Sequence, residues 1–202
     1  MSPDKPIYVV DDDDAVRESL DFLLQAAGYR TVCFNSAAAC LKQLPSLEGG
    51  CIITDVRMPE VSGIDLLKAV MAAKRPLPVI VITGHGDIAL AVEAMKIGAV
   101  DFLEKPFDDE VLLASIASAI KNNESVSGPD ASGVREKIEA LTGRERQVLD
   151  GLVAGKANKI IAYDLGISPR TVEIYRANLM TKMEAGSLSE LVRMALRAGI
   201  VT

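Results

Sequence analysis

Cys51-Ile52-Ile53-Thr54-Asp55-Val56-Arg57-Met58-Pro59 is an apolar run that ends on a carboxylate. An apolar stretch without polar alternation suits a strand covered on both faces, as in a parallel sheet. In such a sheet all carboxyl ends of the strands lie along one edge, and ligands bind in the crevice there. Asp55 is therefore placed at a ligand-binding edge. Four more β-branched runs lie outward from it: Ile7 to Val10, Thr31 to Phe34, Val79 to Thr83 and Val100 to Leu103. Helix-period segments fill the gaps, with apolar spacing such as Val16, Leu20, Leu23 and Leu24 in the first. The repeat is near the ~30-residue size of a βαβ unit. It predicts an α/β domain with an open, doubly wound, flavodoxin-like parallel sheet of five strands.

Three other reactive sets fall at matching strand ends. They are the acidic run Asp11 to Asp14, Thr83, and Lys105 after Phe102-Leu103. Mg²⁺ prefers one or two carboxylates, several waters and phosphate oxygens, and Asp12 and Asp55 fit that demand, with Asp11 holding a metal-bound water. Plainer roles exist for each residue. Asp14 reads as the cap of a helix beginning at Ala15, Asp13 as solvent-facing, Thr83 as a cap of the next helix and Lys105 as a surface lysine. Their joint placement favours a site that holds Mg²⁺ and a phosphoryl group on an aspartate. Pro106 restricts the backbone of Lys105, admits a cis bond and would hold the ammonium over the crevice.

The chain has 202 residues, 49% hydrophobic and 25% charged, enough for one substantial core and a second smaller one. No run approaches the roughly 18 apolar residues of a membrane span. The start, Met-Ser-Pro-Asp-Lys-Pro, lacks the layout of a signal peptide, so a cytoplasmic protein is expected. Cys33, Cys40 and Cys51 form no Cys-x-x-Cys pair and read as buried small apolar residues. Charge is unevenly divided. Up to Val134 there are 11 Lys and Arg against 20 Asp and Glu, whereas from Arg135 onward there are 11 against 8. An acidic first part suits a cation, and a mildly basic second part suits nucleic acid.

The Ser-, Gly- and Asn-rich texture after Asn122 reads as a linker. The expected domains are thus residues 5–121, a linker at 122–136, and a second, all-α domain at 137–202. Thr142-Gly-Arg-Glu145 is a capping box ahead of Val148, Leu149, Leu152 and Val153. Ser168-Pro169 places an N-cap before a proline at the first helical position. Asn158 to Leu165, a turn at Gly166, and Ser168 to Met183 make a helix-turn-helix. At 100° per residue, Tyr175, Arg176, Leu179 and Met183 fall on one side of the long helix. Arg170, Glu173, Ile174, Ala177 and Thr181 fall on the other, available to the major groove. Glu173 suits cytosine N4, and Ile174 or Ala177 a thymine methyl. Lys159, Ser168, Thr171 and Lys182 suit phosphate contacts around the rim. The plainer alternative is a helical hairpin that packs on a protein partner.

Asp11-Asp12, Asp55 with Met58-Pro59 and Gly63, Thr83-Gly84 and Lys105-Pro106 together resemble the receiver domain of two-component response regulators, over about residues 5–121. The resemblance implies that Asp55 accepts a phosphoryl group from a sensor histidine kinase. It implies that Asp11, Asp12, Asp55 and the Arg57 carbonyl serve Mg²⁺, that Thr83 and Lys105 bind phosphoryl oxygens, and that Phe102 turns inward on activation. His85, the lone histidine, sits in a Gly84-His85-Gly86 loop and reads as a loop residue. The rival is a haloacid-dehalogenase-type phosphatase, whose Asp-x-Asp pattern puts an acid/base carboxylate two residues on; here that place is Arg57.

Residues 141–149, Asn158-Lys159-Ile160-Ile161-Ala162 and residues 167–173 resemble the LuxR-type DNA-binding domain, over about 137–200. Asn158 joins the candidate DNA contacts on that ground. Receiver, linker and LuxR-type domain in this order are similar to the NarL/FixJ class of transcription factors. Thr83-Gly-His-Gly-Asp87, Glu93-Ala-Met-Lys96, Gly98 to Phe102 and Glu104 to Phe107 resemble its FixJ-like branch. Tyr175 departs from the pattern, which often has His there. That branch implies an oxygen-responsive, FixL-like kinase, promoter DNA, RNA polymerase, activation of nitrogen-fixation genes, and a homodimer on phosphorylation. The expected dimer surface is Asp87 to Glu104, with Ile88, Val92 and Met95 beside Glu93, Lys96, Asp101 and Glu104. Apart from its own phosphorylation and slow dephosphorylation, no enzyme activity is expected.

Overall fold

Five short strands, β1 (Ile7–Val10), β2 (Thr31–Phe34), β3 (Cys51–Asp55), β4 (Val79–Thr83) and β5 (Asp101–Glu104), pair in parallel in the order β2-β1-β3-β4-β5. The computed structural model describes residues 5–84, 88–124 and 131–200. The chain divides into two compact units, one built on this sheet and one helical. Helices α1 (Asp14–Ala26), α2 (Ala37–Gln43), α3 (Gly63–Ala72), α4 (Ile88–Ile97) and α5 (Asp109–Glu124) alternate with the strands. The doubly wound expectation is met. Strand order reverses between β1 and β3, and Val10 is paired with Thr54 across that ladder. Asp11 and Asp55 are the next residues on each side, so the switch point of the sheet is flanked by two aspartates.

Alternate strand residues Ile7, Val9, Cys51, Ile53, Ile80 and Ile82 pack with Leu20 and Leu24 of α1 and Leu112, Ile116 and Ala119 of α5. The intervening Tyr8, Val10, Ile52, Val79 and Val81 are buried as well. Burial of both faces explains why the strands read as continuous apolar runs. Cys40 and Cys51 are buried within this unit. Burial pushes the Cys40 thiol up to about 12 and the Cys51 thiol further in the same direction. Cys33 departs from expectation and is exposed, because β2 is an edge strand.

Some boundaries also differ. Asp13, not Asp14, caps α1, its Oδ1 accepting from the amides of Ala15 and Val16 at 2.8 and 3.2 Å. Asp14 occupies the first turn and pairs with Arg17. Any of four consecutive aspartates can cap a helix, so the sequence left the position open by one residue. The last strand begins at Asp101 rather than Val100.

The second unit contains α6 (Ala131–Glu139), α7 (Gly143–Val153), α8 (Asn158–Leu165), α9 (Pro169–Met183) and α10 (Leu188–Arg197), and it takes in residues 88–96 of α4. Its core joins Val134 and Ile138 of α6 to Val148, Leu149, Leu152, Ile161, Val172, Leu179, Met183 and Leu191. The helix α6 occupies residues read as linker, and α5 runs on to Glu124; residues 125–130 lie outside the described residues. Ser and Gly at 132 and 133 hid α6, whose apolar residues Val134 and Ile138 stand at i, i+4. The capping box at Thr142 and Glu145 and the Ser168 cap form as expected. Gly166 ends α8 at φ 65°, the left-handed conformation that glycine adopts without steric cost. Among the described residues no helix is long and apolar enough to cross a membrane.

Candidate phosphoryl site and nucleic-acid interface

The apolar run of β3 delivers Asp55 to the sheet edge, and the buried Asp11 follows β1 beside it. Lys105, one residue past β5, reaches both: its Nζ donates to Asp55 Oδ1 at 2.8 Å and to Asp11 Oδ2 at 3.2 Å. The Lys105-Pro106 peptide is cis. The second oxygen of Asp55 accepts from the Arg57 amide at 2.7 Å. The Asp55 carboxylate is thus oriented on both sides. Thr83 is buried at the end of β4, with its hydroxyl on the Gly84 carbonyl at 3.3 Å. Asp12 is exposed. Phe102 is buried, and His85 lies outside the described residues.

Burial raises the Asp11 carboxyl above its ordinary value, and Asp55 adds to this. The Asp13 amide and Lys105 act in the opposite sense without cancelling it. Burial disfavours the Lys105 ammonium, but its bonds to Asp55 and Asp11 outweigh burial and raise it above the ordinary lysine value. It therefore remains a cation at neutral pH. Two largely buried carboxylates and one cation leave net negative charge at the crevice, in hard oxygen donors that suit Mg²⁺. Among the described residues no three His, Cys, Asp or Glu side chains gather as a metal cluster. Asp11, Asp55 and Lys105 come together as expected from sequence, and Asp12 is exposed next to Asp11 in the chain.

Two residues have supporting roles that the sequence reading missed, Asp101 having been read only as part of the expected dimer surface. Arg17 donates from Nη1 to the Asp11 carbonyl at 2.8 Å and so braces the loop after β1. Asp101 accepts from the Phe102 amide at 2.9 Å and from the Ser115 hydroxyl of α5 at 2.7 Å, fixing the strand that carries Phe102. Neither has a sequence signal, because both are ordinary polar residues whose partners are set by packing. Gly63, by contrast, is explained by close approach. A Cβ there would lie 2.0 Å from the Asp55 carbonyl oxygen.

In the helical unit, Arg170, Glu173, Ile174 and Ala177 are exposed on α9, and Val172, Leu179 and Met183 are buried. Tyr175 and Arg176 are half-buried. The two expected faces of α9 are therefore present. Ile174 is 56% exposed. The Ser168 hydroxyl accepts from the Thr171 amide at 3.1 Å and contacts the Thr171 hydroxyl at 2.8 Å. At α8 the N-cap is Ala157, which offers no side-chain acceptor, and Asn158 Oδ1 is buried without a hydrogen-bond partner. Lys159 is exposed in the same turn. Lys182 is exposed, and its Nζ lies 2.7 Å from Glu145 of α7.

Val92 and Met95 of α4, expected on a mixed exposed surface, are buried, while Glu93, Lys96 and Glu104 are exposed. The apolar spacing belongs to the helix's packed face. Asp87 and the side chain of Ile88 lie outside the described residues.

A strand-end aspartate at the switch point of a parallel sheet, held by lysine, followed by a helix-turn-helix unit, defines a phosphorylation-controlled DNA-binding protein. The chain belongs to the response regulators: residues 7–117 match the response regulator receiver domain, and residues 139–195 match the bacterial regulatory proteins of the luxR family. It is 58% identical over 202 residues to the transcriptional regulatory protein FixJ of Azorhizobium caulinodans, covering 99% of this chain and 96% of that one. To FixJ of Bradyrhizobium diazoefficiens it is 55% identical over 197 residues, 96% of either chain. A crystal structure of full-length FixJ from B. japonicum is similar at 53% identity and a TM-score of 0.58, over 98% of this chain and 99% of that one. It is thus a FixJ-like response regulator, whose receiver domain implies a histidine kinase partner and whose luxR-type domain implies DNA binding.

Proposed function

We propose that Asp55 is the phosphoacceptor and that its phosphorylation by a FixL-like, oxygen-responsive histidine kinase activates nitrogen-fixation or low-oxygen genes. The observation that carries this reading is the Asp55 carboxylate, oriented by Lys105 at 2.8 Å and by the Arg57 amide at 2.7 Å at the end of β3. Asp55 attacks the phosphorus of a phosphohistidine; its new O–P bond replaces the N–P bond, and the imidazole leaves with the kinase. Asp11, Asp12, Asp55 and the Arg57 carbonyl would hold Mg²⁺, which when bound neutralises charge on the transferring group. Lys105 and Thr83 bind phosphoryl oxygens, Lys105 exchanging its bond to Asp55 for the incoming group. Catalysis is limited to this self-phosphorylation and slow dephosphorylation. The phosphatase reading finds no support, since the residue two after Asp55 is Arg57.

Phe102, on a strand ending beside Lys105, is the element that the new charge biases. Dimerisation then uses α4 and β5 through Lys96, Glu93 and Glu104, with Val92 and Met95 in the helix's packed face. A charge reversal at Lys96 should abolish dimers in sedimentation without affecting phosphorylation.

On DNA, Glu173, Ile174 and Ala177 read base edges, while Arg170, Thr171, Ser168 and Lys159 contact phosphates. The absence of a side-chain cap at Ala157 supports a phosphate there, because the first-turn amides of α8 are donors that need an acceptor. The protein acts in the cytoplasm, on promoter DNA, and engages RNA polymerase. Asp55→Asn tests the central claim: it should keep the fold and take no label from a phosphohistidine donor with Mg²⁺. Label persisting on Asp55→Asn would move the acceptor to the Asp11 to Asp14 run.

A further inference from the structure

Glu145 is 4% exposed, yet one of its oxygens, Oε2, accepts three hydrogen bonds: from the Thr142 amide at 2.7 Å, the Thr142 hydroxyl at 2.8 Å and Lys182 Nζ at 2.7 Å. The first belongs to the capping box of α7, and the second adds to it. The third comes from the last turn of α9, 37 residues away. A buried carboxylate is costly unless paired, so loss of the ammonium leaves Glu145 uncompensated. Lys182 is 38% exposed, but its ammonium is engaged by Glu145 of the neighbouring helix.

We infer that Lys182 is a positioning residue: through Glu145 it fixes the rotation and tilt of α9 against α7, and so sets where Glu173 and Ile174 meet base edges. The inference rests on the reading of α9 as the base-reading helix. Apolar packing of Val172, Leu179 and Met183 holds α9 in the core but is tolerant of small rotations. The Ser168 cap fixes only its first turn. At the far end the direct restraints are Lys182 to Glu145, and Lys137 to Glu184 at 2.8 Å. Glu184 is 74% exposed, so that second pair contributes little. In the first pair Lys182 is partly exposed but Glu145 is buried, which makes that pair the stiffer of the two. Base readout demands side chains held within about half an ångström, and the pair supplies this at the end of α9 that the cap does not reach.

Glu145→Gln separates the roles, because Gln at this position preserves a capping box while removing the charge that Lys182 answers. The full-length chain, treated with Mg²⁺ and acetyl phosphate, is titrated with two duplexes. One is selected by the wild type from a random library, and the other is its scrambled counterpart. Glu145→Gln and Lys182→Met should each reduce the ratio of affinities for the two duplexes by about tenfold, and the double variant should be no worse than either alone. The salt dependence of binding should not change, and Lys182→Arg should restore the ratio. A merely structural role would lower binding to both duplexes together and leave the ratio intact, which overturns the inference. A phosphate-contact role overturns it differently: Lys182→Met would reduce the salt slope by about one, and Glu145→Gln would tighten binding to both duplexes by freeing the ammonium. Should Lys182→Met not fold, Glu145→Gln and Lys182→Arg decide the matter alone. A wild type that binds both duplexes equally overturns the reading of α9 itself.

Discussion

Lys105 reaches across 50 residues of chain to place its Nζ 2.8 Å from Oδ1 of Asp55. The same ammonium touches Asp11, so one cation holds two carboxylates that would otherwise repel at close quarters. In the resting protein Lys105 therefore does electrostatically what a divalent cation does in the site's proposed working state. Lys105→Met should destabilise the sheet unit by about 1–3 kcal/mol, between the limits for exposed and buried pairs. Mg²⁺ should recover part of that loss and raise the urea midpoint more in the variant than in the wild type. Equal Mg²⁺ effects in the two proteins would show that the cation does not bind at Asp11 and Asp55.

Gly63 and Asp55 are coupled through backbone contact. A Cβ at residue 63 would lie 2.0 Å from the Asp55 carbonyl oxygen and 3.0 Å from the Thr54 hydroxyl. The Asp55 carbonyl is backbone and cannot turn aside, so the start of α3 must move away from β3. Gly63→Ala should cost about 1–3 kcal/mol in thermal or urea unfolding and slow labelling of Asp55 by displacing its carboxylate. Gly143→Ala, with nothing within 4 Å, is the control and should affect neither.

The fold was readable because burial on both faces wrote each strand as an unbroken apolar run, and because parallel strands bring their carboxyl ends to one edge. Asp11, Asp55 and Lys105 could thus be brought together without coordinates, although Lys105 and Asp11 are 94 residues apart. Local chemistry was equally legible: Thr142 with Glu145, and Ser168 with Pro169. What escaped has a common cause. The partners of Arg17, Asp101 and Lys182 are chosen by how helices pack, and a side chain's period on its own helix does not say which neighbour it meets. Helical period placed Val92 and Met95 on α4 but did not say that their side was the packed one. The linker reading missed α6 because composition weighed more than the i, i+4 pair Val134 and Ile138.

On DNA, the two kinds of contact should separate cleanly. Lys159→Ala removes one exposed charge beside the uncapped start of α8, so binding should weaken about equally on all sequences and the salt slope fall by about one. Ile174→Ala removes an apolar contact and no charge, so the salt slope should hold while preference at one base pair relaxes by about 1–3 kcal/mol. Competition titrations over a panel of single-base variants at several salt concentrations measure both quantities. Uniform losses from Ile174→Ala would mean that the exposed face of α9 is not the base-reading one.

The Glu145 and Lys182 pair also predicts how the helical unit responds to acid. The hydrogen bond from Lys182 holds the Glu145 carboxyl below its ordinary value of 4.5; the Thr142 amide and hydroxyl act in the same sense and partial desolvation opposes them. A carboxyl whose folded value is depressed contributes stability that is fully present above the unfolded value and is lost as pH falls through the folded one. The contribution should therefore be intact at pH 7, begin to decline near pH 4.5 and continue to fall below it. Thermal midpoints of the wild type and Glu145→Gln across that range test this directly. The wild type should exceed the variant at pH 7, and the gap should narrow with acidification, because a protonated Glu145 and the amide of the variant present similar neutral groups to Thr142. A gap that stayed constant down to about pH 3.5, well into the carboxylate range, would show that the charge on Glu145 contributes nothing, and that the helices α7 and α9 are held by their apolar contacts alone.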